Sequence, residues 1–365
     1  MKRHQIDKSL FASFSSEKEE SSLPASPWTK TPLRAYHCPV TQSEIEAALQ
    51  ALANTLAQGS PHVVGLTRLT GGASMETWRF GLAGLTSLFI LRRRAAPAEN
   101  ALPLATEAAL LIAAGGEGVP VPSVARVCGA EDGLGEALIV AHVAGETLGR
   151  RIVSGEAFAP VRPRLAGQAG AALARIHRVP IVALPTLPFL DAAATLAQYE
   201  TIFRRTGACR PVLEWAFRVL ARDIPLPVAP VLVHGDFRIG NLIVDAGIGL
   251  VAVLDWELSH LGDPAEDLGW LCVNSWRFGA VEREAGGVGS LADLLAGYEA
   301  AGGRAPPLQR VRYWQMLGSL KWAVMCLMMF HTHASGADPS MERAAIGRRV
   351  SECEADLLAL MQAPP

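Results

Sequence analysis

The residues best able to do chemistry cluster in one stretch, Val231-Leu-Val-His-Gly-Asp-Phe-Arg-Ile-Gly-Asn-Leu-Ile-Val, followed by Leu254-Asp-Trp-Glu at the end of another apolar run. Strand-like flanks deliver Asp236, Asn241 and Asp255 at strand ends, where one carboxylate can meet a second carboxylate and an amide. Asp-x-x-x-x-Asn with a later Asp closing an apolar strand is the layout that phosphoryl transfer uses for its base and its Mg²⁺ ligands. The segment taken alone also reads as an ordinary turn, with Asp236 and Asn241 capping backbone N–H groups.

Placing these residues requires a scaffold, and the rest of the chain supplies its signals. Thr41 and Glu44 form a capping-box pattern ahead of Ile45, Leu49, Leu52 and Leu56 at helical spacing, which predicts a first helix. Short β-like runs follow at His62–Thr70, Met75–Phe80 and Ser87–Arg92, with Gly71-Gly72 as a turn signal. A helix over Ala101–Ala114, stopped by Gly115-Gly116, precedes strand candidates Ser123–Val127 and Ala137–Val143. This order is not the alternating βα pattern of a parallel sheet. Beyond Gly145 the chain reads as helices at Val161–His177, Ala192–Thr206, Pro211–Arg222, Pro264–Ser275, Leu291–Ala301, Leu308–His331 and Met341–Met361. The β-rich patch Pro230–Trp256 interrupts them. The expectation is an α+β chain: a disordered tail over 1–35, a small lobe with an antiparallel sheet over 36–143, and a larger, mostly helical lobe over 144–365.

Composition narrows the function. The 365 residues are 50% hydrophobic, enough for a sizeable core, and Lys plus Arg is 33 against Asp plus Glu at 35, a formal net charge of -2. No global positive field exists to attract nucleic acid or an anionic membrane. The longest apolar run, Trp322–Phe330, is too short to span a bilayer, and no h-region follows the N-terminal charges. Six cysteines without a C-x-x-C spacing give neither a disulfide framework nor a zinc knuckle, so a cytoplasmic setting is expected. Lysine is confined to Lys2, Lys8, Lys18, Lys30 and Lys321, which excludes a Walker A loop. Lys321 falls on an apolar stripe with Trp314, Gly318, Met325 and Met328 and needs an anionic partner. That partner is either an acceptor molecule or a structural carboxylate.

Taken jointly, His234-Gly-Asp with Asn241 and the Asp255-Trp-Glu strand end resembles the aminoglycoside phosphotransferase and choline kinase superfamily, over roughly residues 40 to 362. Gly262-Asp-Pro-Ala-Glu-Asp-Leu-Gly-Trp and Ser275-Trp-Arg-Phe-Gly look like the segments that follow in bacterial members related to the kinase-like part of acyl-CoA dehydrogenase fusion proteins. The resemblance implies a bilobal protein-kinase-like fold and transfer of the γ-phosphate of ATP, with Mg²⁺, to a hydroxyl of a small molecule. It implies Asp236 as the base, His234 as organiser of the loop, Asn241 and Asp255 as Mg²⁺ ligands, and Glu257 behind them. In the small lobe, Leu69-Thr-Gly-Gly-Ala-Ser-Met resembles the phosphate-covering hairpin, with Gly71, Gly72 and Ser74 over the nucleotide. The family's strand lysine is absent from Phe89-Ile-Leu-Arg-Arg-Arg, so Arg92 must substitute, with Glu107 as its helical partner. Val140, His142 and Val143 are expected to face the adenine through backbone groups.

Several neighbours carry structural expectations. Asp263 should cap a helix ahead of Pro264, Asp267 should brace the loop, and His177 should satisfy a helix C-terminus. Three other functions compete: a kinase-like module without turnover, motivated by Arg92; an aminoglycoside kinase; and a metal-dependent phosphoesterase using the same carboxylates. Residues 270–340 hold five acidic against six basic residues, no trap for a polycationic antibiotic and permissive of an anionic acceptor such as a hydroxyacyl-CoA.

Overall fold

A computed structural model describes residues 40–59, 61–69, 75–94 and 102–362. The expected tail over 1–35 and the hairpin residues Gly71, Gly72 and Ser74 lie outside them. The chain divides into two compact units, one holding residues up to Ala108 with Ser123–His142, the other Ala109–Pro122 with Val143 onward.

In the first unit, helix α1 (Gln42–Leu56) starts on the expected capping box: the Glu44 N–H donates to the Thr41 hydroxyl at 3.3 Å, and the Thr41 N–H to the Glu44 carboxylate at 2.7 Å. Its buried face, Ile45, Leu49, Leu52 and Ala53, packs on a sheet. Strands β1 (Val63–Leu69), β2 (Met75–Leu82), β3 (Leu88–Arg94), β4 (Val124–Cys128) and β5 (Ala137–Ala141) form that sheet in the order β1-β2-β3-β5-β4. Every pairing is antiparallel. Period-two alternation puts Trp78 and Phe80 of β2 and Phe89 and Leu91 of β3 into the core, Phe80 stacked on Phe89 at 5.5 Å. Helix α2 (Leu104–Gly116) carries Glu107 in its first turn.

The second unit is mostly helical. Helices α3 (Gly149–Ser154), α4 (Arg162–Arg178), α5 (Ala192–Arg205) and α6 (Pro211–Arg222) precede two small ribbons. One pairs β6 (Val231–Val233) with β9 (His260–Gly262); the other pairs β7 (Leu242–Asp245) with β8 (Gly249–Val253). Then come α7 (Ala265–Leu271), α8 (Leu291–Ala300), α9 (Leu308–Ala334), α10 (Met341–Gly347) and α11 (Val350–Gln362). Helix α9 is buried on every side over most of its length, as a central core helix must be, with Leu317, Leu320 and Val324 sealed from solvent.

Three predicted helices differ from the observed ones: the one expected to stop ahead of Gly115-Gly116 includes both glycines, since glycine in a last turn weakens a helix without ending it. The helix expected over Pro264–Ser275 ends at Leu271, because Cys272 and Val273 make tighter i−3 bonds to Gly269 and Trp270 and Val273 turns extended. The single helix expected over Met341–Met361 is broken into α10 and α11. Gly347 ends the first, packed so closely on Phe330 that a Cβ would collide with that side chain. Helix α3 and strand β9 had no sequence signal that singled them out.

Candidate active site

Strand β6 hands the chain to the loop at His234. Gly235 adopts φ 79°, and an added Cβ would press into the Leu258 carbonyl, so only glycine fits. The loop hangs on Asp267 of α7, whose carboxylate accepts the backbone N–H groups of His234 at 2.8 Å and Gly235 at 2.9 Å. Asp267 is sealed from solvent and also meets His177 Nε2 at 3.1 Å, while His177 Nδ1 lies 2.9 Å from the Tyr298 hydroxyl. Burial works to raise the Asp267 pKa, but the His177 hydrogen bond and the charges and N–H groups around it outweigh that and hold it low. Asp267 is therefore the expected brace. His177 does more than end α4, since it links Asp267 to α8. Asp263 starts α7 by accepting from the Ala265 N–H at 2.9 Å, and its other oxygen accepts from Arg310 Nε at 2.6 Å and Trp314 Nε1 at 2.8 Å.

His234 ties the loop to the strand end that carries Asp255. Its Nε2–H donates to the Leu254 carbonyl at 3.0 Å, and its Nδ1 accepts from the Asp236 N–H at 3.3 Å, which requires the neutral imidazole. Burial supplies that state, lowering the His234 pKa against the pull of Asp267, Asp236 and Asp255. Trp256 packs on the ring with centroids 4.8 Å apart. The Leu254 N–H in turn donates to the Asn241 carbonyl at 2.8 Å. Asp255 follows with φ 62°, a left-handed conformation that Asp is among the few side chains to tolerate.

The Asp236 carboxylate is 2% exposed and collects donors. Arg238 Nε stands 3.1 and 3.2 Å from its two oxygens, Trp270 Nε1 donates to Oδ1 at 2.8 Å, and Asn241 Nδ2 donates to Oδ2 at 2.5 Å. Asn241 Nδ2 also donates to the Asp236 carbonyl at 2.9 Å, which leaves Oδ1 of the same amide buried without a hydrogen-bond partner. A buried carbonyl oxygen without a donor is costly, and a cation would satisfy it. Among the described residues no three His, Cys, Asp or Glu side chains are grouped to hold a metal by themselves. An amide oxygen is among the oxygen ligands that Mg²⁺ accepts, an ion that keeps waters and phosphate oxygens in most of its coordination sites.

Lys321 of α9 is buried under this loop, its Nζ 3.4 Å from the Gly235 carbonyl, 4.0 Å from Glu266 Oε1 and 4.7 Å from the Trp270 ring centre. The anionic partner is thus a structural carboxylate. Burial disfavours the ammonium, but the acidic groups around it keep the Lys321 pKa above its ordinary value. Arg238, Trp270 and Lys321 as supports of the loop escaped the sequence reading. Arg238 sits two residues from Asp236 and was open to notice; Trp270 reaches Asp236 only because α7 folds back beneath the loop.

In the first unit, the three consecutive arginines of β3 each find their own acid. Arg92 Nη1 is ion-paired with Glu107 Oε1, and Glu107 is 1% exposed. Arg93 meets Glu76 of β2 at 2.8 Å and the Leu134 carbonyl at 3.1 Å; Arg94 meets Glu136 at 3.1 Å and the Leu102 carbonyl at 2.8 Å. Val140 lies in the ladder opposite Ile90 of β3 and Val124 of β4, and the His142 N–H donates to the Leu88 carbonyl at 2.8 Å. His142 thus spends its N–H on β3 and ends the first unit, and Val143 opens the second segment of the other unit.

Comparison with known proteins adds to this geometry. Residues 65–314 match the model of the phosphotransferase enzyme family. The chain is 29% identical over 245 residues to acyl-CoA dehydrogenase family member 10 of Mus musculus, covering 64% of this chain and 22% of that protein. It thus spans about a fifth of that relative's length. Among solved structures, one from Ralstonia eutropha JMP134 assigned to the aminoglycoside phosphotransferases superposes with a TM-score of 0.69 at 21% identity, covering 89% of this chain and 99% of the other. Spectinomycin phosphotransferase in complex with ADP and spectinomycin gives a TM-score of 0.61 at 11% identity over 87% and 98%. The fold is the expected α+β protein-kinase-like one. Among the described residues no helix is long and apolar enough to cross a membrane.

Proposed function

Because the chain belongs to the phosphotransferase enzyme family, we propose that it transfers the γ-phosphoryl group of ATP to a hydroxyl of a small molecule, with Mg²⁺ as cofactor. The observation that carries this reading is the buried Asp236 carboxylate beside the partnerless Asn241 Oδ1. Asp236 orients the acceptor hydroxyl and takes its proton as the new O–P bond forms and the bond from the γ-phosphorus to the β-phosphate oxygen breaks. Three donors on the carboxylate, from Arg238, Trp270 and Asn241, fix its direction. Positioning of this kind is most of what a loose, metaphosphate-like transition state asks of the protein. Asn241 Oδ1 and the Asp255 carboxylate hold Mg²⁺, which when bound neutralises charge on the β- and γ-phosphates. His234, neutral, keeps Leu254 and the Asp236 backbone in register so that the two carboxylates stay in place.

In the first unit, Arg92 receives nucleotide phosphate and Glu107 aims it. The guanidinium offers a planar fork where a lysine would act as a point charge. Gly71, Gly72 and Ser74 cover the phosphates in this reading, and the backbone of Val140, His142 and Val143 faces the base. ATP use is supported by the ADP held by the spectinomycin enzyme. For the acceptor we favour a hydroxyacyl-CoA over an aminoglycoside, on the likeness to acyl-CoA dehydrogenase family member 10 and the absence of an acidic trap over residues 270–340.

The deciding experiment measures ADP release with Mg·ATP against hydroxyacyl-CoAs, aminoglycosides and choline-like alcohols. ADP formed only with a hydroxyacyl-CoA, and lost in Asp236→Asn, supports the full reading. ADP formed only with an aminoglycoside overturns the acceptor. Mg·ATP that binds in calorimetry without turnover on any acceptor points to the module without catalysis, and failure to bind Mg·ATP sinks the kinase reading.

A further inference from the structure

The second unit contains a cleft of about 660 Å³ at the C-terminal turn of α4, bounded by the approach to β6, the start of α7 and the loop Gly302–Pro307 ahead of α9. Its volume is that of a small-molecule site. Ala174, Val228, Val231 and Pro264 give it an apolar floor, and Arg178, Arg304 and Arg310 bring three guanidinium groups to its lining. One carboxylate, Asp263, faces them, and it is already engaged by the Ala265 N–H, Arg310 Nε and Trp314 Nε1.

The donor count decides what this cleft could hold. A guanidinium carries five N–H donors. Arg310 commits Nε to Asp263 and Nη2 to the Leu226 carbonyl, and Arg178 commits Nε to Glu117 and Nη1 to the Ala301 carbonyl. Each retains N–H groups. Arg304 is exposed and makes no hydrogen bond or ion pair among the described residues. It sits just before Pro306-Pro307, whose fixed φ angles restrict the loop that carries it. The back wall is His177 and Tyr298, the pair that leads to Asp267 and so to the loop carrying Asp236.

We propose that this cleft binds a phosphate monoester with an apolar body: the phosphate on the spare arginine donors, the body on the Ala174–Val228–Val231 floor. Arginine forks with unused donors and an excess of positive charge favour a dianionic phosphate over a carboxylate or a neutral alcohol. The site uses neither the nucleotide residues nor Asp236, so it stands or falls independently of the phosphotransferase reading.

Calorimetry on the full chain tests it with phenyl phosphate as the probe and inorganic phosphate, benzoate and phenol as the arms. Phenyl phosphate should bind, inorganic phosphate and benzoate should bind at least about tenfold more weakly, and phenol should not register. Arg304→Glu, on the exposed loop, should weaken phenyl phosphate by about tenfold or more, and Val228→Trp, at a half-open position, should abolish it by filling the floor. Asp255→Ala should leave it unchanged, because the catalytic loop is not the site. Absence of phenyl phosphate binding, insensitivity to both cleft variants, loss in Asp255→Ala, or equal binding of benzoate would each overturn the proposal.

Discussion

The arginines of β3 and the His234–Asn241 loop hold their charged groups in opposite ways. On β3, three adjacent cations are each matched by a separate acid: Glu107, Glu76 and Glu136. Each pair can be altered with limited consequence for the other two. The loop instead shares its partners: Asp267 serves two backbone N–H groups and His177, Asp236 serves three side chains, and Lys321 serves the Gly235 carbonyl and Glu266. Shared partners in a buried network fail together, because removing one strands several. The first region keeps its three arginines on separate acids, although Glu76 also meets Arg68 and Glu136 also accepts the Leu104 N–H, and the second holds its charges in one connected set.

The largest test of that contrast is at Asp236. Asp236→Asn should lower turnover by roughly 10²–10⁴-fold while Mg·ATP still binds, whereas Asp255→Ala should abolish the Mg²⁺ dependence of ATP binding; calorimetry with and without Mg²⁺ beside steady-state rates separates them. The reverse pattern would exchange the two roles. Next comes the brace. Asp267→Ala leaves two buried N–H groups and His177 without their acceptor and should cost about 3 kcal/mol or more in urea unfolding, an effect that separate pairs would not produce.

Arg92→Ala should then weaken ATP by about tenfold, with Arg93→Ala and Arg94→Ala, which lose structural pairs, changing affinity less. Equal losses at all three would mean that the β3 arginines act as one diffuse patch. The smallest effect is the pH response of two buried histidines. His234 has its pKa lowered by burial, so its stabilising contribution is present above its ordinary value of about 6.5 and is lost as pH falls through the lower folded value. His260 is the opposite case: burial lowers its pKa, but Glu266, 3.1 Å away, outweighs that and raises it, so its contribution is present below about 6.5 and is lost as pH rises through the raised value. Each contributes a slope of no more than about 1.4 kcal/mol per pH unit. Denaturation midpoints of His234→Gln should lose the acid-side slope, and those of His260→Gln the alkaline one.

What could be read from the sequence follows the range of the contacts. Thr41 and Glu44 are three residues apart, and their capping box was legible. So were the five strands of the first sheet, because alternation along Met75–Phe80 and Ser87–Arg92 is local. Asp236, Asn241 and Asp255 were visible as a spacing. Their supports were not: Trp270 reaches Asp236 across 34 residues, His177 reaches Asp267 across 90 and Tyr298 across 121. No periodicity encodes such pairs, since only the packing of α4, α7 and α8 creates them. Lys321 was singled out by its isolation in an apolar stripe, but its partner, Glu266, lay in a helix whose facing could not be read.

The replacement of the β3 lysine by arginine has a practical side. Amine-directed nucleotide reagents, which acylate an ammonium beside the bound phosphates, find none on β3, where Arg92, Arg93 and Arg94 stand. The only lysine after residue 30 is Lys321, 8% exposed beneath Trp270. A kinase survey by such reagents would pass this protein over. The same scarcity bears on attachment chemistry: among the described residues the one lysine is the buried Lys321, so amine coupling leaves the exposed face of that part of the chain, the arginines included, unmodified.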